Sequence, residues 1–156
     1  MPARVILLSF LLLVLAACVN LPPAGPDPFK TLPYGHKAYD LHFVWDAKRQ
    51  GEELMLNGAL RNSKYPAIDD LDITFELKDP AGNTIRKAHT YVIPSSIGID
   101  DTANFDIKIS LKGAPEGSYI NFIYFYTSSE PGRGGMMNQL GSFRIDPFGR
   151  FLSRPE

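Results

Sequence analysis

One cysteine stands out among the residues that could carry chemistry. Cys18 is the only cysteine of the 156-residue chain, and it lies between an apolar run and a proline-rich segment. A thiol left free in an oxidising compartment is a liability, and no second cysteine is present to form a disulfide with it. The position of Cys18 therefore favours a covalent modification over a structural disulfide.

The three histidines do not form a metal-binding pattern. His36, His42 and His89 are isolated from one another, and the chain has no H-x-H or H-x-x-x-H pair. Structural and catalytic zinc sites draw on several His or Cys ligands at characteristic spacings. The sequence therefore predicts no metal site built on these histidines.

Two acidic clusters offer carboxylates that could in principle bind calcium. They consist of Asp69, Asp70 and Asp72, and of Asp100 and Asp101. Neither cluster has the glycine-broken loop of known calcium sites. We interpret both as solvated strand ends, so no metal is predicted.

The serines give no sign of a hydrolase. Ser95 and Ser96 lie in the segment PSSIG, which lacks the G-x-S-x-G nucleophile elbow. No arrangement of serine, histidine and aspartate has support beyond composition. The sequence therefore predicts no catalytic residue and no cofactor, and we expect a protein that is not an enzyme.

The first 17 residues have the pattern of a signal peptide. Arg4 provides a cationic start, and the apolar run 5–17 follows with Ser9 as its only polar residue. A transmembrane helix needs about 20 apolar residues, whereas this run is shorter and is followed by turn-forming residues. We expect residues 1–17 to be removed from the mature protein.

The end of this leader, LAAC at 15–18, resembles the lipobox of bacterial lipoproteins. The resemblance implies that Cys18 carries a diacylglycerol, that cleavage occurs before it, and that its new amine is acylated in many bacteria. Two or three acyl chains anchor a protein stably, since each buried methylene contributes about 0.8 kcal/mol. The alternatives are an ordinary secretory signal with a chance cysteine, or a buried free thiol.

The lipobox resemblance also predicts a location. The protein is expected in the cell envelope, held on the lipid bilayer through acylated Cys18 without crossing it. Val19 follows the cysteine, where enterobacterial lipoproteins retained in the inner membrane tend to carry Asp. The outer membrane is therefore favoured over the inner membrane.

The charge distribution argues against a nucleic-acid partner. The chain has 16 Lys and Arg residues against 17 Asp and Glu, and the two signs are interleaved along its length. Phosphate binding needs clustered cations, and no polybasic patch is present. We expect a partner that is another envelope protein.

Composition divides the chain into four parts. Residues 1–17 are the signal peptide. Residues 18–36 are the acylated cysteine and a linker, since 19–36 contain five prolines and two glycines, which disfavour helices and interior strands. Residues 37–146 form the β-sandwich domain. Residues 147–156 are a C-terminal tail.

The domain has the two-residue period of half-buried strands. At 71–77, Leu71, Ile73, Phe75 and Leu77 alternate with polar residues, and the segment 105–111 has the same pattern. Seven strands are predicted, at 39–46, 53–61, 71–77, 84–93, 105–111, 119–127 and 140–145. Turn sequences such as DPAGN at 79–83 separate them, and no helical periodicity is evident. These features predict an all-β fold, a seven-stranded antiparallel immunoglobulin-like β-sandwich.

The segment 56–85 resembles the FxLYD domain, an immunoglobulin-like module of prokaryotic envelope proteins. The pattern is matched by Gly58, Asn62, Phe75, Leu77, Asp79 and Gly82, whereas Lys78 stands where the family usually has Tyr. The resemblance implies a sandwich in which Phe75 and Leu77 fill the core and Asp79 accepts backbone hydrogen bonds in the next turn. It implies no catalytic residue.

The strand at 119–127, YINFIYFYT, is apolar on both faces, so its second face must also be covered. The first candidate for this cover is the tail, through Phe148, Phe151 and Leu152. The second candidate is a protein partner or the other copy in a homodimer. The sequence leaves both open.

The long connections predict where a partner binds. If successive strands alternate in direction, the joins 62–70, 94–104 and 128–139 lie at one end of the sandwich. The last of them carries Arg133, Met136 and Met137, an anion contact beside two adaptable apolar side chains. The sequence therefore predicts a protein-interaction or structural module. The alternative is a small-ligand or glycan-binding module using Trp45, although the phase of Trp45 with Leu41 and Phe43 turns it inward.

Overall fold

The chain folds into two antiparallel sheets. A computed structural model describes residues 25–129 and 135–152. In chain order the elements are α1 (Pro28–Thr31), β1 (Tyr34–Lys37), β2 (Leu41–Gln50), β3 (Glu53–Asn62), β4 (Ala67–Lys78), β5 (Thr84–Tyr91), β6 (Ser96–Gly98), β7 (Thr102–Ser110), β8 (Tyr119–Ser129), β9 (Met136–Ile145) and β10 (Phe151–Leu152). The predicted fold class, an antiparallel immunoglobulin-like β-sandwich, is confirmed.

The two sheets pack face to face around one core. One sheet has the order β1-β2-β3-β7, and the other has the order β10-β9-β8-β4-β5, with β6 paired to the start of β4. Along β4, every second residue from Leu71 to Leu77 is buried while the intervening side chains are partly exposed. The period of two in the sequence therefore corresponds to one buried face, as predicted.

Aromatic rings occupy the centre of the core. The Phe122 ring stacks on that of Phe143 with centroids 4.3 Å apart, and it contacts Phe75 at 4.9 Å and Phe43 at 5.4 Å. Such pairs add about 0.5–1.5 kcal/mol each beyond the area they bury. This cluster joins strands of both sheets and fixes how they face each other.

The FxLYD-like residues have the structural roles that the resemblance implies. Phe75 and Leu77 are fully buried, and Asp79 accepts a hydrogen bond from the Asn83 backbone N–H at 2.8 Å. Gly82 has a φ of 90°, which favours glycine. A Cβ on Gly58 would lie 2.5 Å from the Phe105 ring, so close packing also requires glycine there.

All seven predicted strands are present, and three short strands were missed. β1 forms inside the predicted linker, β6 inside a predicted loop and β10 inside the predicted tail. The linker predicted at 18–36 therefore ends earlier, before β1. The residues of β1 pair with β2, from Tyr34 opposite Trp45 to Lys37 opposite His42, because an edge strand of four residues needs no long apolar pattern.

The segment before β1 also packs on the sandwich. Asp27 caps α1 by accepting a hydrogen bond from the Phe29 N–H at 3.0 Å, and Pro28 begins the helix. The Phe29 ring lies 5.0 Å from the His42 ring and 4.1 Å from the Arg61 guanidinium. The N-terminal segment is thereby held against β2 and β3. None of the helices in the described ranges is long and apolar enough to cross a membrane.

The tail, the first candidate cover for the second face of β8, does not lie across that face in its described residues 147–152. After a turn in which Gly149 has a φ of 81°, the tail returns beside β9, where Phe151 pairs with Ile145 and Leu152 with Arg144. It extends the edge of the sheet because its backbone groups pair there. Partial exposure of the second face of β8 leaves the partner alternative open.

We expect Phe75→Ala to lower the free energy of unfolding by about 3–5 kcal/mol, because the change removes a fully buried ring from the central cluster. Thr74→Ala, on the outward face of the same strand, is the matched control and should cost less than about 1 kcal/mol. Urea unfolding followed by circular dichroism measures both. Equal losses at the two positions would mean that the face assignment of β4 is wrong.

Stability should also depend on His36. Its ring stacks on Phe151 at 4.9 Å and lies 4.3 Å from Phe143, so it joins β1 of one sheet to β9 and β10 of the other. Burial, and then the neighbouring His42, lower the pKa of His36 below its usual 6.5. The neutral form is favoured in the folded state, so its contribution to stability is present above pH 6.5 and is lost as the pH falls below that value.

The free energy of unfolding should therefore fall as the pH drops from about 7.5 through 6.5 and below, and His36→Gln should reduce the fall. The control is His89→Gln, at an exposed histidine on the outer face of β5. Urea titrations at a series of pH values measure the difference. An unchanged pH dependence in His36→Gln would contradict this role.

Candidate interaction surface

The strand directions place the long connections at one end of the sandwich. The joins 63–66 and 92–101, the end of β8 and the start of β9 lie at the end where β2 begins, whereas the joins 51–52, 79–83 and 111–118 lie at the other. The first set defines the long-loop end, and the second set defines the short-loop end. The strand directions group the joins as predicted, but their lengths differ from the prediction. The join 63–66 has four residues, because β4 begins at Ala67 and not at Leu71, and the join 111–118 has eight.

The buried side chain of Asn62 holds the long-loop end together. Its Nδ2 donates to the carbonyl oxygens of Tyr65 and Ile97 at 2.6 and 3.1 Å, and its Oδ1 accepts from the N–H groups of Lys64 and Tyr65 at 3.1 and 3.0 Å. Its backbone N–H donates to the Asp101 carbonyl at 3.2 Å. One residue thus fixes two of the three long connections to the end of β3.

A second polar contact at this end joins the two sheets. Tyr126 on β8 is fully buried, and its hydroxyl donates to the Asp40 carboxylate just before β2. The Asp40 carbonyl accepts from the backbone N–H of Ser63 at 2.9 Å. Burial and the bond to Asp40 raise the pKa of Tyr126, and burial raises the pKa of Tyr124 to about 12. Both hydroxyls therefore remain protonated near neutral pH and act as structural groups.

Exposed apolar side chains concentrate at the long-loop end. Of the ten large hydrophobic residues exposed in the described ranges, six lie there and a seventh is close by on β9. The six are Tyr39, Tyr91, Ile93, Ile99, Met136 and Met137, and the seventh is Leu140. Scattered exposed hydrophobics are normal, but a concentration of this kind is characteristic of an interaction site.

A cation lies within this surface. The Lys64 ammonium is 4.1 Å from the Tyr39 ring and 4.6 Å from the Tyr65 ring, and it donates to the Tyr65 hydroxyl at 3.1 Å. The bond to Tyr65 raises the pKa of Lys64. The surface thus combines apolar groups with a fixed positive charge, which suits an apolar partner segment with an acidic group.

The structure revises the environment of the predicted binding residues. Met136 and Met137 belong to β9 and not to a loop, because β8 and β9 pair as far as Ser129 and Met136. They project on opposite faces of the sheet and are 66% and 39% exposed. Arg133, the third predicted contact, lies outside the described residues, as does Cys18.

Sequence reasoning missed other members of this surface. Ile93 is the last residue of the predicted strand 84–93, and Ile99 follows the segment PSSIG in the predicted loop. Both are more than half exposed, at 74% and 53%. The available signal was the apolar character of Ile99, which lies in a loop where no buried strand face requires it.

The outer face of the six-stranded sheet carries a partly apolar row. The register aligns Tyr91 of β5, Asp72 of β4, Phe125 of β8 and Leu140 of β9 across four strands. Phe125 is half-buried, whereas Tyr91 and Leu140 are 71% and 74% exposed. The second apolar face predicted for β8 therefore exists and continues onto β9.

A groove of about 710 Å³ lies at the short-loop end. Arg49 and Arg150 each approach the Phe148 ring to 5.4 Å, and Arg144 lies 4.6 Å from the Tyr119 ring. Asp146 neutralises Arg150 through a 2.6 Å contact. The remaining arginines and the apolar walls could hold an anion that has an apolar body.

Trp45 is not available for stacking on a sugar. It is fully buried, and its indole N–H donates to the Gly149 carbonyl at 2.7 Å. The predicted inward orientation of Trp45 is confirmed. Within the described ranges, no three His, Cys, Asp or Glu side chains are grouped as metal ligands would be.

Comparison with known proteins identifies similar structures of low sequence identity. No family model and no curated protein matches the chain. One similar solved structure is the yeast GGA1 GAE domain–P21 crystal structure, with 10% identity over 72% of this chain and 97% of that chain, and a TM-score of 0.43. Another is the GAE domain of GGA2p from Saccharomyces cerevisiae, with 12% identity over 70% of this chain and 93% of that chain, and a TM-score of 0.42.

Proposed function

We propose that this protein is a lipid-anchored lipoprotein of the bacterial cell envelope, and that its sandwich binds another envelope protein through the long-loop end. The concentration of exposed apolar side chains at that end is the observation that carries the proposal. The bonds of Asn62 support it, because a surface held in place loses little conformational entropy when a partner binds.

The N-terminal segment supports a location near the membrane. Phe29 packs between His42 and Arg61, which lie near the long-loop end of β2 and β3. Gly25 is seven residue steps beyond Cys18, so the chain between them can span at most about 25 Å. An acylated Cys18 would therefore keep the long-loop end close to the bilayer, within reach of a membrane-associated partner. The outer membrane is the proposed site.

A small anionic ligand is the second candidate, favoured by the groove at the short-loop end. Arg49 and Phe148 there could bind a charged group and an apolar group together. The two functions use opposite ends of the sandwich, so variants at one end separate them.

Replacing the anchor tests the proposed location. We expect Cys18→Ala to abolish incorporation of labelled palmitate and to release the protein from the membrane fraction, because the thiol that would carry the diacylglycerol is gone. Metabolic labelling and membrane fractionation measure both effects. Full membrane retention of Cys18→Ala, with unchanged processing of the leader, would contradict the lipoprotein assignment.

Replacing exposed apolar residues tests the binding surface. We expect the triple variant Arg133→Ser, Met136→Ser, Met137→Ser, and separately the double variant Ile93→Ser, Ile99→Ser, to lose proteins that co-purify with the wild type from its own membranes. Circular dichroism checks that each variant remains folded.

The matched control for this surface is the double variant Ile85→Ser, Phe148→Ser. It removes two exposed apolar side chains from the short-loop end. It should co-purify the partner at the yield of the wild type. Full recovery of the partner with the long-loop variants, or loss only with this control, would overturn the proposed surface.

A further inference from the structure

Strand β9 presents a long edge without charge. It pairs with β8 over its whole length, from Met136 to Ile145, but β10 covers only Ile145 and Arg144 on the other side. Within the described ranges, residues 136–143 have no strand on that side. Their sequence, MMNQLGSF, contains no charged residue. The backbone N–H and C=O groups along this edge can therefore pair with another strand.

The other sheet edges are protected. On β5, the outer strand at the opposite side of the same sheet, Arg86, Lys87 and His89 are exposed. β1 is only four residues long. β7 lies beside the continuation of β5, where Ile93 and Asn104 form a backbone bridge. Short length, charge and covering are the usual means by which proteins prevent strand addition. Among the described residues, the stretch 136–143 of β9 has none of the three.

We propose that β9 pairs with β9 of a second copy of this chain in an antiparallel arrangement, which joins the two six-stranded sheets into one. Two identical strands related by a two-fold axis are self-complementary, because each donor of one copy faces an acceptor of the other. Eight residues span about 26 Å, enough for a ladder of about eight hydrogen bonds. The absence of charge removes the repulsion that would separate two identical edges.

The side chains of β9 also favour a second copy of this chain as the partner of this edge. Leu140 and Met136 project from the outer face of the sheet and are 74% and 66% exposed. In the paired arrangement, Leu140 of each copy lies beside its counterpart and shields it from water. The apolar row that includes Phe125 then continues from one copy into the next. A second copy thus covers apolar groups that the monomer leaves exposed.

This inference does not rest on the proposed function. It uses the backbone edge of β9 around Leu140. The proposed partner surface shares Met136 and Met137 with this edge, but its residues Ile93 and Ile99 lie on a separate segment between β5 and β7. The double variant Ile93→Ser, Ile99→Ser should therefore leave the pairing of β9 intact. Failure of one proposal is distinguishable from failure of the other.

Cysteine cross-linking in native membranes tests the pairing in the full chain. Single variants Asn138→Cys, Leu140→Cys and Ser142→Cys place thiols on one face of β9, where paired strands bring Cβ atoms to about 4.5–5.5 Å. The matched control is His89→Cys, at an exposed position on the outer face of β5. The unmodified chain measures any background from Cys18.

We expect disulfide-linked dimers several-fold above the control, with the highest yield at the position nearest the two-fold axis. Adding both Asn138→Lys and Ser142→Lys to Leu140→Cys should abolish them, because position 138 of one copy then faces position 142 of the other with two like positive charges. Circular dichroism checks that this variant is folded. Dimer yields on β9 no higher than those of His89→Cys, or cross-links to a different protein, would overturn the proposal.

Discussion

The buried amide of Asn62 ties the end of β3 to the loops that carry the exposed apolar residues. All of its side-chain hydrogen bonds go to backbone groups of 63–66 and to the Ile97 carbonyl, so the loops are held by a residue that is itself inside the sandwich. A buried polar side chain is tolerated only when its bonds are made, and losing a partner costs about 1–3 kcal/mol. The local backbone conformation and the position of Asn62 therefore stabilise each other. The bond between Tyr126 and Asp40 fixes the same end across the two sheets.

This constraint explains how apolar groups can remain exposed at one end without collapsing onto the core. Ile99 lies beside Asp100 and Asp101, whose backbone groups bond to Asn62, and Ile93 is bridged to Asn104. The loops cannot fold inward without breaking these bonds. At the short-loop end the exposed aromatic Phe148 lies between two arginines instead, so the two ends of one sandwich offer different chemistry.

The sequence predicted the fold where alternation was long enough to identify a buried face. β4, β7 and β8 each show four or more alternating residues, and their orientation was correct. β1, β6 and β10 were missed because two to four residues carry no measurable period and are held only by pairing with a neighbour. Met136 and Met137 were assigned to a loop because a strand that continues past the core loses its apolar alternation. Counting the strands predicted which connections share one end of the sandwich. It could not predict that Asn62 and Tyr126 stabilise this end, because their hydrogen-bond partners are distant in sequence or lie in loops without a pattern.

Site-specific photo-cross-linking in the native membrane shows which end of the sandwich contacts the partner protein. A photoreactive amino acid is placed separately at Ile93 or Ile99, at the long-loop end, and at Ile85 or Phe148, at the short-loop end. All four side chains are exposed, from 37% at Ile85 to 74% at Ile93, so each probe can reach a neighbouring protein. We expect the first two positions to form a covalent adduct with a single envelope protein and the last two to form none. Adducts that form only from Ile85 or Phe148 would contradict this expectation.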